Sequence, residues 1–558
     1  MSESTQHDEP APSGGLSRRQ LFRTTGLIGL GGLLTAPRAG AAGHGPAAAA
    51  GVLPGVPPAT GRIYESIGVR PLINCRGTLT IIGGSMELPE VREAKSAANQ
   101  QYAQLDEVMD AVGKRLGELT GAEWGMVSSG CAAAMSHATA ACVAGGNPDL
   151  HVRIPNLAGF EKDEVIIPGH SRNVYDAAIR AVGVKIIEVN TPEELRLAIG
   201  PKTAMIYIFA NNRNETGDMS LEAVASIARP FNVPIMVDAA AEILTVPNVH
   251  LQRGATLVGY SGGKIIRGPQ SAGLLLGRKD LVQAAWIHSA PHHGYARAMK
   301  VGREEMIGML VAVESWVKRD HEKEWAEWVA RCEHIAERVS RIDGVTTRIQ
   351  KEPGESRSNR SPRLAIRWEA ARLGITGQQV ADLLDNGEPR IALGGGGGRQ
   401  SQDLPGDTGI SIGSSMMAPG DEKAVAERIV EVLSERRTLA PIEAPAPPAA
   451  NLSGQWEVEI QYVASRTVHV LHLQQEGNAL VGTHQGNFLA RDVSGSISGE
   501  TVALASIVTE RHGDALTYRF AGKLTGETMS GTLNMAEYRA ATWTARRHVY
   551  GGRAAGAD

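Results

Sequence analysis

The feature that most restricts the fold of this chain is an alternation of short apolar runs with helical patterns between residues 62 and 439. Several runs are rich in β-branched residues and apolar on both faces. The clearest are 165–167, 185–189, 204–208, 234–237 and 274–276. Such strands are typical of a largely parallel sheet with helices on both faces. The alternation therefore predicts an α/β fold.

A long amphipathic helical pattern divides this α/β region into two parts. It covers residues 303–319 and continues, after a break, through 325–342. An earlier helix is predicted at 220–228, where a serine takes the N-cap position. We therefore expect a large domain over residues 62–302 and a small α/β domain over residues 303–439.

The C-terminal part has a different pattern. The proline-rich segment 440–451 predicts a stiff linker. After it, apolar and polar residues alternate with a period of two from Trp456 to Tyr462. Turn signals follow at 476–478, 498–500, 512–514 and 525–527. Short strands at this spacing predict a small all-β antiparallel barrel or sandwich over residues 452–550.

The N-terminus carries an export pattern. Arg18 and Arg19 precede a short apolar stretch, 24–37, and a small-residue cleavage motif that ends at Ala41. This order predicts a twin-arginine signal peptide over residues 1–41 and a linker over 42–61. A disordered basic tail is the alternative. Since the apolar stretch is too short for a stable membrane span, we expect passage through the twin-arginine translocase to a periplasmic or secreted location.

Length, charge and cysteine content exclude several classes of protein. At 558 residues the chain is too long for a single hydrophobic core. Its formal net charge is −4, so no nucleic-acid partner is expected. The four cysteines are scattered and form no CxxC pair, so neither a disulfide framework nor a metal site is predicted. Buried free thiols are the expected state.

An aspartate, Asp238, directly follows the apolar strand at 234–237. In open α/β folds, ligands bind at the carboxyl edge of the sheet, where this side chain is expected to lie. Taken alone, Asp238 is equally typical of a helix N-cap.

A turn rich in serine and glycine, Ser128-Ser129-Gly130-Cys131, joins a predicted strand at 124–127 to a helix. Such a turn presents free backbone N–H groups and the positive end of the helix dipole, which suit a phosphate group. Taken alone, the turn is equally typical of an ordinary helix cap.

Lys264 lies in a glycine-rich loop, three residues after Ser261. The small residues before it let a ligand approach the backbone closely. Taken alone, a lysine in such a loop is more often a solvated surface charge.

Together, the turn, the aspartate and the lysine follow one another in a familiar order. The layout resembles the aspartate-aminotransferase-like (fold type I) superfamily of enzymes that use pyridoxal 5'-phosphate (PLP). More narrowly, the chain resembles the branch that contains bacterial selenocysteine synthase (L-seryl-tRNA selenium transferase) and the D-glucosaminate-6-phosphate ammonia-lyase-like proteins. The stretches that carry this resemblance are 72–78, 237–242, 261–264, 268–273 and 298–305.

The resemblance implies a complete cofactor site. Lys264 would hold PLP as a Schiff base and later transfer a proton, and Asp238 would pair with the pyridine nitrogen. Ala240 would lie against the ring, and Ser261 would bind the phosphate together with the turn at 128–131. His170 falls where such enzymes place a ring-stacking residue, with a hydrogen-bonding histidine at a loop end as the alternative.

The resemblance also suggests a substrate site and an assembly. Arg76, Arg267 and Arg390 are candidates to bind a substrate carboxylate or phosphate, because a guanidinium group binds either anion through two hydrogen bonds. The stretch 299–305 is expected near a subunit interface. We therefore expect at least a homodimer.

The resemblance implies a small substrate with an amino group, which forms an external aldimine with the cofactor and then a Cα carbanion. We expect an α,β-eliminating lyase that releases ammonia from an amino acid or amino-sugar acid. Transamination, racemisation, aldol cleavage and oxygen-dependent oxidation are the enzymatic alternatives. A binding protein with a degenerate PLP domain is the non-enzymatic one. Selenium transfer is not expected, because an exported protein meets no aminoacyl-tRNA.

Overall fold

A computed structural model of the chain describes residues 63–394, 404–439, 444–510, 513 and 515–549. The chain divides into two units, Met1–Val69 and Arg70–Asp558. The described residues of the first unit include a short helical turn, Glu65–Ile67. The predicted export signal, the linker after it and residues 440–443 of the predicted proline-rich linker lie outside the described residues.

The second unit contains a seven-stranded sheet. Its strands are β2 (Trp124–Ser128), β3 (Glu164–Pro168), β4 (Lys185–Val189), β5 (Thr203–Phe209), β6 (Ile235–Asp238), β7 (Leu257–Ser261) and β8 (Gly273–Gly277). They lie in the order β2-β8-β7-β6-β5-β3-β4. The strands from β3 to β7 pair in parallel, whereas β8 runs antiparallel to both β7 and β2. The prediction of a largely parallel sheet is confirmed.

The five predicted strands all coincide with strands of this sheet, within a residue or two at the ends. The apolar side chains at 165–167 and 204–207 are fully buried, because helices cover both faces of a parallel sheet. The helices of this region are α1 (Pro89–Asn99), α2 (Leu105–Thr120), α3 (Gly130–Ala144), α4 (Pro148–His151), α5 (Ala177–Arg180), α6 (Pro192–Ala198), α7 (Leu221–Ala228), α8 (Val249–Gln252) and α9 (Lys279–Ile287). As predicted, Ser220 caps α7 by accepting a hydrogen bond from the Ala223 N–H.

Two long helices follow, α10 (Arg303–Lys318) and α11 (His321–Val339). The predicted break falls at residues 319–320, where the Asp320 side chain caps α11 by accepting from the Lys323 N–H. A three-stranded antiparallel sheet comes next, in the order β12-β10-β9, with β9 (Thr346–Gln350), β10 (Arg363–Trp368) and β12 (Thr408–Gly413). The remaining elements are β1 (Ile73–Cys75), which pairs in parallel with β11 (Ile391–Leu393), and the helices α12 (Ala370–Leu373), α13 (Gly377–Asn386) and α14 (Asp421–Ser434).

The C-terminal part is a closed antiparallel barrel of eight strands. They are β13 (Gly454–Gln461), β14 (Arg466–Glu476), β15 (Ala479–Gln485), β16 (Ala490–Ser498), β17 (Thr501–Thr509), β18 (Ala515–Thr525), β19 (Thr528–Asn534) and β20 (Ala540–Arg547). Each strand pairs with the next, and β20 pairs with β13. Of the two architectures predicted from the sequence, the structure has the barrel. Its core includes the buried rings of Trp456, Phe520 and Trp543.

All four cysteines are free and buried, as expected. In the described part of the chain, no helix combines the length and the apolar composition that a bilayer crossing requires. Within the same residues, no group of three or more His, Cys, Asp or Glu side chains is placed to hold a metal ion.

Candidate active site

A cavity of about 400 Å³ lies at the carboxyl edge of the seven-stranded sheet. Phe209, Asp238 and Ser261, the last residues of β5, β6 and β7, line it. The N-terminus of α3 reaches the same edge, because β2 runs parallel to these strands. The cavity therefore lies where open α/β sheets bind ligands.

Asp238 is almost completely buried, with 1% of its surface exposed. Its Oδ1 accepts hydrogen bonds from the Ala240 N–H at 3.0 Å and from the Cys131 thiol at 3.4 Å. Its Oδ2 accepts from the Tyr207 hydroxyl at 3.1 Å. Burial raises the pKa of Asp238, while these hydrogen bonds and the Lys264 charge oppose that rise. The site therefore offers a fixed, buried carboxylate that a cation in the cavity would stabilise.

The alternative role for Asp238, a helix N-cap, is wrong. Residues 239–242 form a turn instead of a helix. The hydrogen bond from the Ala240 N–H shapes this turn, and Ala240 itself lines the cavity.

Lys264 lies in the loop between β7 and β8 and lines the same cavity as Asp238. Burial lowers the pKa of Lys264, and the negative charge of Asp238 acts in the opposite direction. A lower pKa increases the fraction of neutral amine, which is the form that attacks a carbonyl group. The alternative, that Lys264 is a solvated surface charge, is therefore wrong, because its amine is partly buried in the cavity.

The turn before α3 presents backbone donors to the cavity. Gly130, Cys131 and Ala132 line it, and the first N–H groups of a helix have no partner within the helix. Ser129 takes the N-cap position but makes no side-chain cap hydrogen bond. Ser128 stays outside the cavity lining and donates from Oγ to the Gly130 carbonyl at 2.8 Å. Ser261 lines the cavity beside this turn.

Two glycines make this arrangement possible. Gly130 has a φ of 86°, in the left-handed region that favours glycine. Gly273, on β8, packs directly beneath the turn, and a Cβ at this position would lie 2.6 Å from the Cys131 nitrogen. The close approach of β8 to the turn therefore depends on glycine at position 273.

His170 lies outside the cavity lining. A hydrogen bond of 2.6 Å joins its Nε2 to Oδ1 of Asn214, and the Asn211 side chain donates to its carbonyl. The large side chains that line the cavity are instead Met135, Tyr175 and Phe209.

The three candidate arginines lie in different surroundings. Arg76 lines a second cavity of about 120 Å³, which shares Thr78, Leu79, Ala241 and Asn359 with the first. Arg267 donates from Nε to the Met86 carbonyl at 3.1 Å, and Arg390 forms an ion pair of 3.0 Å with Asp385. Neither Arg267 nor Arg390 lines either cavity.

The second cavity contains two further arginines that the sequence did not single out, Arg360 and Arg363. The Nε of Arg360 is buried and has no hydrogen-bond partner among the described residues. We name this group, Arg76, Arg360 and Arg363, the arginine subsite. The sequence signal for Arg360 and Arg363 is a cluster of basic residues around the start of β10.

Backbone hydrogen bonds to residues 241 and 243 hold the segment 357–359 beside the cavity. The Ile243 N–H donates to the Arg357 carbonyl at 3.1 Å, and the Asn359 N–H donates to the Ala241 carbonyl at 2.8 Å. The Arg357 side chain also forms an ion pair of 3.3 Å with the buried Glu242. A segment distant in sequence thus completes the site beside Asp238.

The cavity offers three of the groups that PLP requires. It holds a lysine with a lowered pKa, a buried carboxylate for a ring nitrogen and unpaired helix N–H groups for a phosphate. These three groups come from separate elements and line one cavity.

The chain is similar in sequence and in fold to known proteins, although the sequence matches no family model. D-glucosaminate-6-phosphate ammonia lyase of Salmonella typhimurium is 31% identical over 342 residues, 60% of this chain and 89% of that protein. The 5'-C-glycyluridine monooxygenase-decarboxylase of a Streptomyces species is 29% identical over 387 residues, 66% of this chain and 92% of that protein.

L-seryl-tRNA(Sec) selenium transferase of Proteus mirabilis is 27% identical over 278 residues, 44% of this chain and 56% of that protein. A solved structure of D-glucosaminate-6-phosphate ammonia-lyase superposes with a TM-score of 0.59 at 29% identity, covering 67% of this chain and 98% of that one. The resemblance expected from the sequence is therefore confirmed for the α/β part. The chain belongs to the family of D-glucosaminate-6-phosphate ammonia lyase, with the fold of the aspartate-aminotransferase-like enzymes and PLP as its cofactor.

Proposed function

We propose that this enzyme is a PLP-dependent lyase that releases ammonia from an amino acid or amino-sugar acid with an anionic group. One observation carries the proposal. The cavity with Lys264 and Asp238 adjoins the arginine subsite, so an amine and an anion of one substrate can be held side by side. The lyase relative described above supports elimination as the reaction.

Within this site, each residue has a separate task. When bound, PLP withdraws electrons from the substrate Cα and makes its proton acidic. The lowered pKa of Lys264 provides a neutral amine that can accept that proton. Asp238 holds its carboxylate in place through Tyr207, Cys131 and the Ala240 N–H, and so favours a positive charge on the ring nitrogen.

The arginine subsite would bind the anionic group of the substrate. Arg76, Arg360 and Arg363 supply three positive charges around a small cavity. Arg360 has a buried Nε without a partner in the described part of the chain, and a buried donor without a partner is costly unless a ligand satisfies it. A carboxylate or a phosphate has the acceptor oxygens that such a group needs.

The test is a screen of D- and L-amino acids and amino-sugar acids for release of ammonia and a keto acid. We expect Lys264→Ala to abolish release and Arg360→Met to raise KM by roughly tenfold or more with a smaller effect on kcat, because uniform binding is lost. The control is Arg341→Met, which removes an exposed arginine paired with Glu337. Ammonia release that does not depend on Lys264, or none from any compound, would refute the proposal.

A second candidate is oxygen-dependent oxidation. This chain matches 92% of the length of the relative named as a monooxygenase-decarboxylase, and this similarity favours a reaction with oxygen on the same scaffold. The two candidates separate when the reaction is run in air and under nitrogen. Equal ammonia release under both gases supports the lyase, whereas oxygen consumption with carbon dioxide release supports the oxidase.

We also propose export through the twin-arginine translocase to the periplasm or the medium. Arg18, Arg19 and the cleavage motif ending at Ala41 support this location. Fractionation of cells that express the full chain tests it. The Arg18→Lys/Arg19→Lys variant should stay in the cytoplasm, and unchanged export of that variant would refute the proposal.

A homodimer or larger homo-oligomer is proposed as the working form. The stretch 299–305, which carries part of the family resemblance, supports this assembly. Light scattering on the purified enzyme tests the proposal, and a monomer at micromolar concentration would refute it.

A further inference from the structure

The two ends of the barrel differ in their connections. At one end, two-residue turns join the strands at 477–478, 499–500 and 526–527. The interior at this end is filled by apolar side chains such as Leu480, Ile497 and Val502. At the other end, longer connections join the strands at 462–465, 486–489 and 535–539. We call this second end the mouth of the barrel.

The interior near the mouth holds a cluster of polar side chains. Nδ1 of His469 and Nε2 of His484 lie 2.9 Å apart, and Nδ1 of His484 lies 3.1 Å from the Ser506 hydroxyl. The Arg491 guanidinium lies 4.9 Å from the centre of the Tyr518 ring. We name His469, His484, Arg491, Ser506 and Tyr518 the mouth cluster.

Arg491 carries a buried charge, and no carboxylate of the described residues pairs with it. Only 9% of its surface is exposed, and its Nε and Nη1 atoms are buried without a partner among the described residues. The buried polar residues of the described barrel strands are His469, His484, Arg491, Ser506 and Thr517, none of them acidic. An unpaired buried cation is costly, and contact with one aromatic ring offsets only part of that cost.

The histidines beside Arg491 do not add to this charge at neutral pH. Burial lowers the pKa of His469 to about 4, with a further contribution from the Arg491 charge. Burial, His469 and Arg491 lower the pKa of His484 to about 3. The mouth cluster therefore has one net positive charge and several neutral hydrogen-bonding groups at pH 7.

A cavity of about 360 Å³ opens beside the mouth cluster. Tyr518 belongs to both, since its ring lines the cavity and also lies against Arg491. The remaining lining is mainly apolar or aromatic and consists of Tyr462, Val463, Ala464, Leu516, Thr517, Met535 and Tyr538. Gly486 also lies close to the guanidinium, because a Cβ at this position would be 3.1 Å from Nη2.

We propose that the mouth of the barrel binds a small amphipathic carboxylate, with the carboxylate at Arg491 and the apolar body in the adjoining cavity. A carboxylate accepts two parallel hydrogen bonds from a guanidinium group. Either parallel pair of donors, Nε with Nη2 or Nη1 with Nη2, includes one of the unpaired atoms, and the carboxylate would neutralise the single charge of the cluster. The apolar side chains of the cavity would contact the apolar body of the ligand.

Titration calorimetry of the full-length, PLP-loaded enzyme tests this site, with octanoate, benzoate and the neutral 1-octanol as probes. We expect at least one of the two carboxylates to bind, and Arg491→Met to weaken that binding tenfold or more. Binding of 1-octanol should change less than threefold. Arg491→Lys should retain part of the affinity, because the charge remains.

A control variant locates the binding. Arg519→Met removes an exposed arginine on the outer face of the same barrel and should bind the carboxylate as the unchanged enzyme does. Failure of both carboxylates to bind at millimolar concentration would overturn the proposal. So would equal binding by Arg491→Met with an unchanged circular dichroism spectrum.

Discussion

At the residue scale, the strongest electrostatic constraint on the active site is the buried carboxylate of Asp238. Three donors hold it, and two of them, Cys131 and Tyr207, are side chains from other elements. Because Asp238 is buried, its negative charge is favourable only where a cation or strong donors accompany it. This property suits a residue that keeps a ring nitrogen positively charged.

Replacement of the Asp238 carboxylate should therefore lower activity far more than the loss of one of its hydrogen-bond donors. We expect Asp238→Asn to lower kcat by roughly 10²–10³-fold, as removal of a preorganised electrostatic group does in other enzymes. Tyr207→Phe should cost only a few-fold, because one hydrogen bond contributes about 1 kcal/mol. Steady-state kinetics of both variants check this order, and equal losses would contradict it.

The lowered pKa of Lys264 has a consequence for pH dependence. A lysine amine attacks PLP only when it is neutral, so attachment should accelerate as pH rises through the pKa of Lys264. Since burial lowers this pKa, the rise should occur below the ordinary lysine value of 10.5. Asp238 raises the pKa of Lys264, so Asp238→Ala should move the rise to still lower pH.

Stopped-flow measurement of cofactor attachment to the apoprotein gives this profile. Asp163→Ala is the control, because that carboxylate pairs with Lys185 at 3.0 Å. A shift to higher pH in Asp238→Ala would contradict the assigned interaction.

Local sequence was sufficient to predict some site residues and insufficient for others. Asp238 and Lys264 stand out because each lies next to a recognisable strand or glycine-rich loop. Tyr207 and Asn359 do not, because their roles depend on strand pairing and on a backbone contact between distant segments. Arg360 is recognisable as a site residue only from the cavity that it lines.

At the element scale, the site depends on how closely β8 approaches the start of α3. Gly273 on β8 lies against the backbone of Gly130 and Cys131. The helix N-terminus therefore keeps its position only if residue 273 has no side chain. The predicted strand at 274–276 is confirmed, but its antiparallel direction was not predicted, since a short apolar run is the same in either direction.

A side chain at this position should weaken cofactor binding. We expect Gly273→Ala to cost about 1–3 kcal/mol through overpacking, and PLP affinity to fall by roughly tenfold or more. Gly200→Ala is the matched control, because a Cβ there meets nothing within 4 Å. Fluorescence titration of the apoproteins with PLP measures both, and equal affinities would contradict this role for Gly273.

The closure of the barrel could not be predicted from the sequence. The period of two and the turn signals predicted short antiparallel strands, and these are present. The choice between barrel and sandwich depends on whether β13 pairs with β20, a contact between the two ends of the segment that local patterns do not specify. Arg491 lies on the same buried face of β16 as Val493 and Ile497, so the alternation along the strand directs its side chain into the barrel.

At the scale of the whole molecule, the described residues form three separate hydrophobic clusters. One surrounds the seven-stranded sheet, the second lies under the three-stranded sheet and the third fills the barrel. The barrel cluster shares no residue with the other two. The barrel core is therefore not required to bury the apolar residues around the cofactor site.

A chain that ends after Leu439 should accordingly keep its cofactor. We expect this shortened protein to bind PLP within about threefold of the full-length affinity, a difference of less than 1 kcal/mol. It should also lose the octanoate binding proposed for the barrel. Parallel titrations of the two chains check both statements, and a shortened chain that folds but binds no PLP would contradict the independence of the cores.

We propose that PLP is attached to Lys264, and the most direct test is chemical. Borohydride reduction of the purified enzyme fixes the cofactor to its lysine, and peptide mapping by mass spectrometry then locates it. The structure predicts a single phosphopyridoxyl label on Lys264 and none on Lys264→Ala. A label on another lysine, or an unlabelled Lys264 in PLP-saturated enzyme, would contradict this assignment.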